Sequence, residues 1–110
     1  MKKVNRVKKY REFQEVMNLR KFKRNELYSV YYRDKQTEVG RVGILVGKRN
    51  GNAVTRVKIK RQVRSIVDET LDLKNDNKDY IIVISKYYNT EEFAKNKTLL
   101  VKLLNSIKEN

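Results

Sequence analysis

In 110 residues the chain carries 27 Lys and Arg against 13 Asp and Glu, a formal charge of +14, with neither Cys nor His. An excess of one sign on this scale opposes compaction unless a partner neutralises it, so nucleic acid or an anionic membrane surface is the expected partner. The absent residue types exclude disulfides, thiolate metal sites, a cysteine nucleophile and imidazole acid–base chemistry.

The length suits one domain, residues 1–110, with the modest core of a chain that buries roughly two thirds of its unfolded surface. No apolar run reaches the roughly 18 residues of a membrane span. The charged start, MKKVNRVKKYREF, is not followed by an uninterrupted apolar segment, so a cytoplasmic protein is expected rather than a secreted one.

In chain order, residues 2–9 are basic and expected to be loosely ordered. Tyr10, Phe13, Val16 and Met17 recur at helical spacing, which predicts a short amphipathic helix over 10–19. NLRKFKRN, residues 18–25, reads as a basic loop. LYSVYYR, residues 27–33, is a strand with Leu27, Ser29 and Tyr31 on one face and Tyr28, Val30 and Tyr32 on the other. Residues 34–38 read as a polar hairpin loop before a second strand over 39–48. Gly43 and Gly47 leave one face of that strand nearly bare, as happens where a ligand or another backbone comes close.

Residues 47–52, GKRNGN, turn into a helix over about 53–70. On a wheel of 100° per residue Ile59, Val63, Ile66, Val67 and Thr70 share one arc, opposite Lys58, Lys60, Arg61 and Arg64. An acidic polar link follows, and then YIIVIS, residues 80–85, whose continuous apolar run suits a central strand covered on both faces. Asn89-Thr90-Glu91-Glu92 supplies a cap and an acidic first turn for a last helix, with Phe93, Leu100, Leu103, Leu104 and Ile107 on its apolar face. The expected fold is α+β, an α/β sandwich of one sheet packed with helices.

Catalytic groups are not evident. Asp68, Glu69, Asp72, Asp76 and Asp79 lie at a helix end and in a polar link, where carboxylates are usually solvated, so no metal site is expected. Ser29, Ser65 and Ser85 lack a base partner. Phosphate binding fits better: Arg56, Lys60 and Arg64 form an i, i+4, i+8 ridge with Lys58 and Arg61 beside it and no interleaved Glu. Tyr10, Phe13, Met17, Tyr28, Tyr31 and Tyr32 could either stack unpaired bases or fill the core.

Residues 41–64 resemble the protein component of bacterial ribonuclease P. That family carries R-V-G-[IL]-x-V-x-K-[KR], then G-N-A-V, then Arg-Asn-Arg and x-K-R-x-x-R. The matching positions are Arg41-Val42-Gly43-Ile44, Val46, Lys48-Arg49, Gly51-Asn52-Ala53-Val54, Arg56, Lys60-Arg61 and Arg64. Asn5-Arg6-Val7-Lys8, Phe13 and Asp79-Tyr80-Ile81-Ile82-Val83 extend the likeness outwards. The chain departs at Val57, where the family has Asn, and at Lys58, where it has Arg. Gln62 replaces a commonly basic residue, and Met17 an aromatic one.

The resemblance implies a ribosomal-protein-S5-like fold with a left-handed βαβ crossover. It implies a protein subunit that assists a catalytic RNA in removing the 5′ leader of precursor tRNA. Hydrolysis and Mg²⁺ would belong mainly to the RNA and substrate, with no catalytic residue on this chain and a 1:1 protein–RNA assembly. Phe13, Met17, Tyr31 and Lys48 are the implied leader cleft. Lys48, Arg49, Asn52, Arg56, Lys58, Lys60, Arg61 and Arg64 are the implied contacts to the RNA subunit. The alternatives are an rRNA-binding protein without a role in cleavage, and a metal-dependent nuclease using Asp68, Asp72 and Asp76.

Overall fold

The apolar run at 80–84 lies at the centre of the molecule. In the computed structural model, which describes residues 1–108, it belongs to β4 (Lys78–Ile84). β4 pairs on one side with β2 (Tyr28–Asp34), antiparallel, and on the other with β3 (Val42–Leu45), parallel. With β1 (Phe22–Arg24) outside β2, the four-stranded sheet has the order β1-β2-β4-β3. Tyr80, Ile82 and Ile84 face the larger core, and Ile81 and Val83 the smaller.

The three helices cover the two faces unequally. α2 (Ala53–Thr70) and α3 (Phe93–Lys108) pack on one face through Ile59, Val63, Ile66, Val67, Leu100, Leu103, Leu104 and Ile107, all buried. α1 (Tyr10–Asn18) covers part of the other through Val16, with Phe13 and Met17 half-buried. α2 joins β3 to β4, so the basic helix is the crossover of a βαβ unit. No helix among the described residues is long and apolar enough to cross a membrane.

Several expectations are corrected. The basic stretch 18–25 is not all loop: Phe22–Arg24 pairs with Ser29–Tyr31. A three-residue, charged edge strand has no apolar alternation to betray it, and charge on an edge discourages further pairing. Arg20 ends α1 in the left-handed region at φ 57° and turns the chain into that strand. Residues 34–38 do not close a hairpin, because β4 lies between β2 and β3; the most apolar strand takes the inner position. The second strand is shorter than 39–48, and Lys48–Asn50 form a 3-10 turn.

The N-terminal segment is fixed rather than loose. Asn5 is buried and its Nδ2 donates to the Gly40 carbonyl at 3.0 Å, while Val7 N–H donates to the Val42 carbonyl at 3.0 Å. Residues 6–7 thus line the outer edge of β3. Phe93 is 38% exposed and outside the α3 core face, and Tyr10 is 74% exposed. Glu91 and Glu92 precede α3 instead of forming its first turn.

Candidate nucleic-acid interface

Two rows of side chains cross the α1 face of the sheet. Phe22, Tyr31, Ile81 and Gly43 are successive register partners on β1, β2, β4 and β3. α1 lies over this row. A Cβ on Gly43 would collide with the Phe13 ring and meet Ile81 Cδ1 at 2.9 Å, so the glycine is there to admit Phe13. Phe13, Met17 and Tyr31 are half-buried around Ile81 and Val16. The Phe22 and Tyr31 rings lie 5.1 Å apart at 36°.

The second row is Arg24, Ser29, Val83 and Leu45, and none of its members is buried. α1 has nine residues, about 13 Å of helix, too few to cover both rows. A half-apolar floor beside a row of aromatic side chains is a surface on which unpaired bases can stack. The structure therefore brings Phe13, Met17 and Tyr31 into one cleft. Lys48 stands past its β3 end, exposed, in the turn that follows.

The other aromatic candidates serve the core or the outer surface. Tyr28 is buried toward α3, its hydroxyl donating to the Asn96 carbonyl at 2.9 Å, with Tyr88 edge-on at 5.9 Å. Burial first, and Tyr88 second, raise its pKa, so it remains a donor. Tyr32 packs on the same core, and exposed Tyr10 accepts a bond from Gln14.

Leading into α2, the loop is held by its own asparagines. Asn50 Oδ1 accepts from Gly47 N–H at 3.2 Å, and its Nδ2 donates to the Ser85 carbonyl at 2.8 Å. Gly51 takes φ 118°, a conformation that favours glycine. Asn52 caps α2 by accepting the Thr55 N–H at 2.9 Å, so this implied RNA contact spends its oxygen on the helix.

Four of the five cations of α2 fall into two groups. Lys60 and Arg64 share a surface pocket of about 170 Å³ with Arg6, Lys8, Phe13 and Gly43, so the basic helix and the cleft are contiguous. Lys58 and Arg61 lie further out around Val54 and Val57, which is 55% exposed. Among the described residues Arg6, Arg41, Arg56 and Arg64 each keep a buried Nε–H without a protein acceptor, Arg41 within the ion network of Asp79 and the others beside the cleft or on α2. Buried donors ordinarily find acceptors, and phosphate oxygens supply them in quantity. Gln62 accepts from the Tyr88 hydroxyl at 2.8 Å and donates to the Thr90 carbonyl at 2.9 Å, which is a structural use for the missing basic residue.

A buried ion network clamps α1 over the cleft. Asp79 is fully buried; its Oδ2 meets Arg33 Nε at 3.1 Å and an Arg41 terminal nitrogen at 3.6 Å. Its Oδ1 accepts the Arg41 N–H at 3.1 Å. The same arginines reach Glu12 at 2.6 Å and Glu15 at 3.5 Å on α1. In the sequence Asp79 stands among the possible metal acids and in the stretch that matches the family's later strand, and neither reading signals this role.

The carboxylates of the nuclease alternative each have a partner of their own, although Asp72 and Asp76 line one surface pocket of about 310 Å³ with Lys108. Asp68 pairs with the Met1 ammonium at 2.9 Å, Asp72 accepts from Asn75 at 2.7 Å, and Asp76 accepts the Tyr80 hydroxyl at 3.0 Å. Burial, then the charge of Asp76, raise the Tyr80 pKa and keep that hydroxyl a donor. Among the described residues no three Asp or Glu are gathered to hold a metal.

Comparison with known proteins gives the family and the fold. The sequence model of the ribonuclease P family, "Ribonuclease P", matches residues 1–108. The chain is 38% identical over 109 residues to the "Ribonuclease P protein component" of Mycoplasma capricolum, covering 98% of this chain and all 100% of that one. It superposes on the RNase P protein of Staphylococcus aureus with a TM-score of 0.78 at 29% identity, over 94% of this chain and 95% of that one. The RNase P protein of Thermotoga maritima gives 0.77 at 27% identity, over 96% of each chain. With the family matched from end to end of its described residues, the chain belongs to the ribonuclease P protein family.

Proposed function

We propose that this ribonuclease P protein, a subunit of the ribonuclease that processes tRNA 5′ ends, acts by holding two RNAs at once. The half-buried floor around Phe13, Met17 and Tyr31 takes the single-stranded leader of precursor tRNA. The cations of α2 and its loop, Lys48, Arg49, Arg56, Lys58, Lys60, Arg61 and Arg64, lie on the catalytic RNA in a 1:1 cytoplasmic complex. The observation that carries this reading is the pocket shared by Phe13, Lys60 and Arg64, which joins an aromatic cleft to the cationic part of α2, residues 53–67, where no acid is interleaved.

The energetics suit such a division. Mature tRNA has no leader, so only the precursor gains from the cleft, and each stacked base contributes about 1–3 kcal/mol. Cations that neutralise phosphates release condensed counterions, which binds the RNA subunit without reading its sequence. Neutralisation also lowers the repulsion between catalytic RNA and substrate, a task otherwise left to Mg²⁺. In this reading the catalytic Mg²⁺, and the chemistry with it, lies with the RNA and substrate, which fits Asp68, Asp72 and Asp76 each meeting a partner of its own.

Reconstitution tests the proposal. Added to the RNA subunit at low Mg²⁺, the protein is expected to stimulate precursor cleavage well above RNA alone; equal rates would overturn the reading, and cleavage by protein alone would move catalysis back to this chain. Tyr31→Ala or Phe13→Ala in the assembled enzyme is expected to weaken precursor binding by about tenfold and leave mature tRNA unaffected. Equal losses for the two RNAs would show that these side chains are only core.

A further inference from the structure

β1, unseen in the sequence pattern, carries the floor of the cleft beyond its aromatic centre. Phe22 and Arg24 extend the two rows to the edge of the sheet, on the same face as Tyr31 and Ser29. Lys23 between them points the other way, where its Nζ meets the Ser106 hydroxyl at 2.7 Å and carbonyl at 3.1 Å. The alternation is therefore fixed by contacts on both faces. Phe22 is nonetheless 41% exposed and Arg24 is exposed.

A groove of about 390 Å³ runs along the second row, with Arg24 at one end and Arg49 at the other. Ser29 and Val83 form its floor, and Lys86, whose Nζ sits 5.2 Å from the Tyr87 ring centre, stands beside it. From Leu45 to Arg24 the whole row spans roughly 14 Å, three strand spacings of about 4.8 Å, and the groove covers its Arg24, Ser29 and Val83 part. Glu26 borders the groove and is drawn to Lys95 at 3.6 Å. No acidic side chain among the described residues pairs with Arg24, nor with Arg20 and Lys21 at the approach to the strand.

We propose that β1 is a second contact for the single strand: nucleotides beyond those stacked at Phe13 and Tyr31 cross the groove and leave the protein over Phe22 and Arg24. Phe22 offers its open ring face to a base, and Arg24 meets a phosphate. Continuity with the aromatic row and the unpaired positive charge single out a nucleic-acid strand as occupant. The proposal rests on the leader reading of the cleft and adds to it an exit and a dependence on leader length.

The test is a series of precursor tRNAs with leaders lengthened one nucleotide at a time, bound to enzyme reconstituted with wild-type protein, Tyr31→Ala, or Phe22→Ala/Arg24→Ala. Wild-type affinity is expected to rise with length in two stages. The double variant should match wild type on the shortest leaders and fall about tenfold behind on long ones. Its salt slope for long leaders should drop by about 0.7, one single-strand phosphate. Phe22→Tyr, which keeps the ring, should restore the stacking part. Parity at every length would overturn the proposal, and so would an equal deficit at every length, which would make Phe22 a mere prop for Tyr31. Arg24→Glu, an exposed change that leaves packing intact, must also lose affinity only on long leaders. Loss of all length dependence in the wild type would instead remove the leader site itself. Unchanged assembly with the RNA subunit confirms that each variant is folded.

Discussion

Asp79→Ala is expected to remove about 3–5 kcal/mol of unfolding free energy, because it strips a buried charge from partners that stay behind. Arg33 is 9% exposed and Arg41 12%, and both turn toward this one carboxylate. The Arg41 N–H loses its acceptor at the same time. For a chain of this length the loss corresponds to a fall in melting temperature of roughly 15–25 °C. Urea unfolding checks it: the midpoint should drop while the slope stays constant, since the surface exposed on unfolding is unaltered.

The functional consequence follows from what the arginines do next. Each passes from Asp79 to an acid on α1, so without Asp79 the two links to Glu12 and Glu15 lose their orientation. α1 should then sit more loosely over Gly43 and Tyr31, weakening precursor binding at temperatures where the protein remains folded. Arg33→Met/Asp79→Leu distinguishes the two effects. Replacing a buried pair by apolar side chains is often neutral for stability, so it should recover the part of the melting point lost through Arg33, while Arg41 stays without its acceptor and precursor affinity stays low. If stability does not respond to Asp79→Ala, the network is not the clamp described.

How much of this was legible depends on what a pattern can carry. β4 and α2 are legible because each obeys a single rule along its length: unbroken apolar residues at 80–84, and a 3.6-residue period from Ile59 to Val67. β1 is not, because three residues of Phe-Lys-Arg show no period and acquire meaning only against Ser29, Val30 and Tyr31. The hairpin expected at 34–38 fails for a related reason. Adjacent strands in sequence are usually adjacent in space, but the partner of β2 is chosen by the apolar content of β4. Gly43 reads correctly as a place of close approach, yet only the fold identifies the Phe13 ring as what approaches. The cleft aromatics separate from the core aromatics by strand parity: Tyr31 faces α1, and Tyr28 and Tyr32 face the larger core.

The second large effect concerns the helix that the charge pattern singles out. Arg56→Gln/Lys60→Gln/Arg64→Gln removes three cations and keeps part of each aliphatic stem, so packing loss is limited. If each meets one phosphate of a structured RNA, the slope of log affinity against log salt should shrink by about 2.7. Between 50 and 200 mM salt the wild type would then lose about 40-fold more affinity for the RNA subunit than the variant, and the variant would be the weaker binder at the lower salt. Exposed lysines elsewhere provide the control: Lys102→Gln/Lys108→Gln on α3 removes two charges against three, yet should leave the slope unchanged and not lower it by two thirds as much. Equal responses from the two helices would mean that RNA reads only net charge. A response confined to α2 would tie the binding to geometry, to the ridge whose guanidinium Nε–H groups find no acceptor within the protein. Lys58 and Arg61 need not follow the same rule, because they border the exposed Val54 and Val57 and not the pocket shared with Phe13.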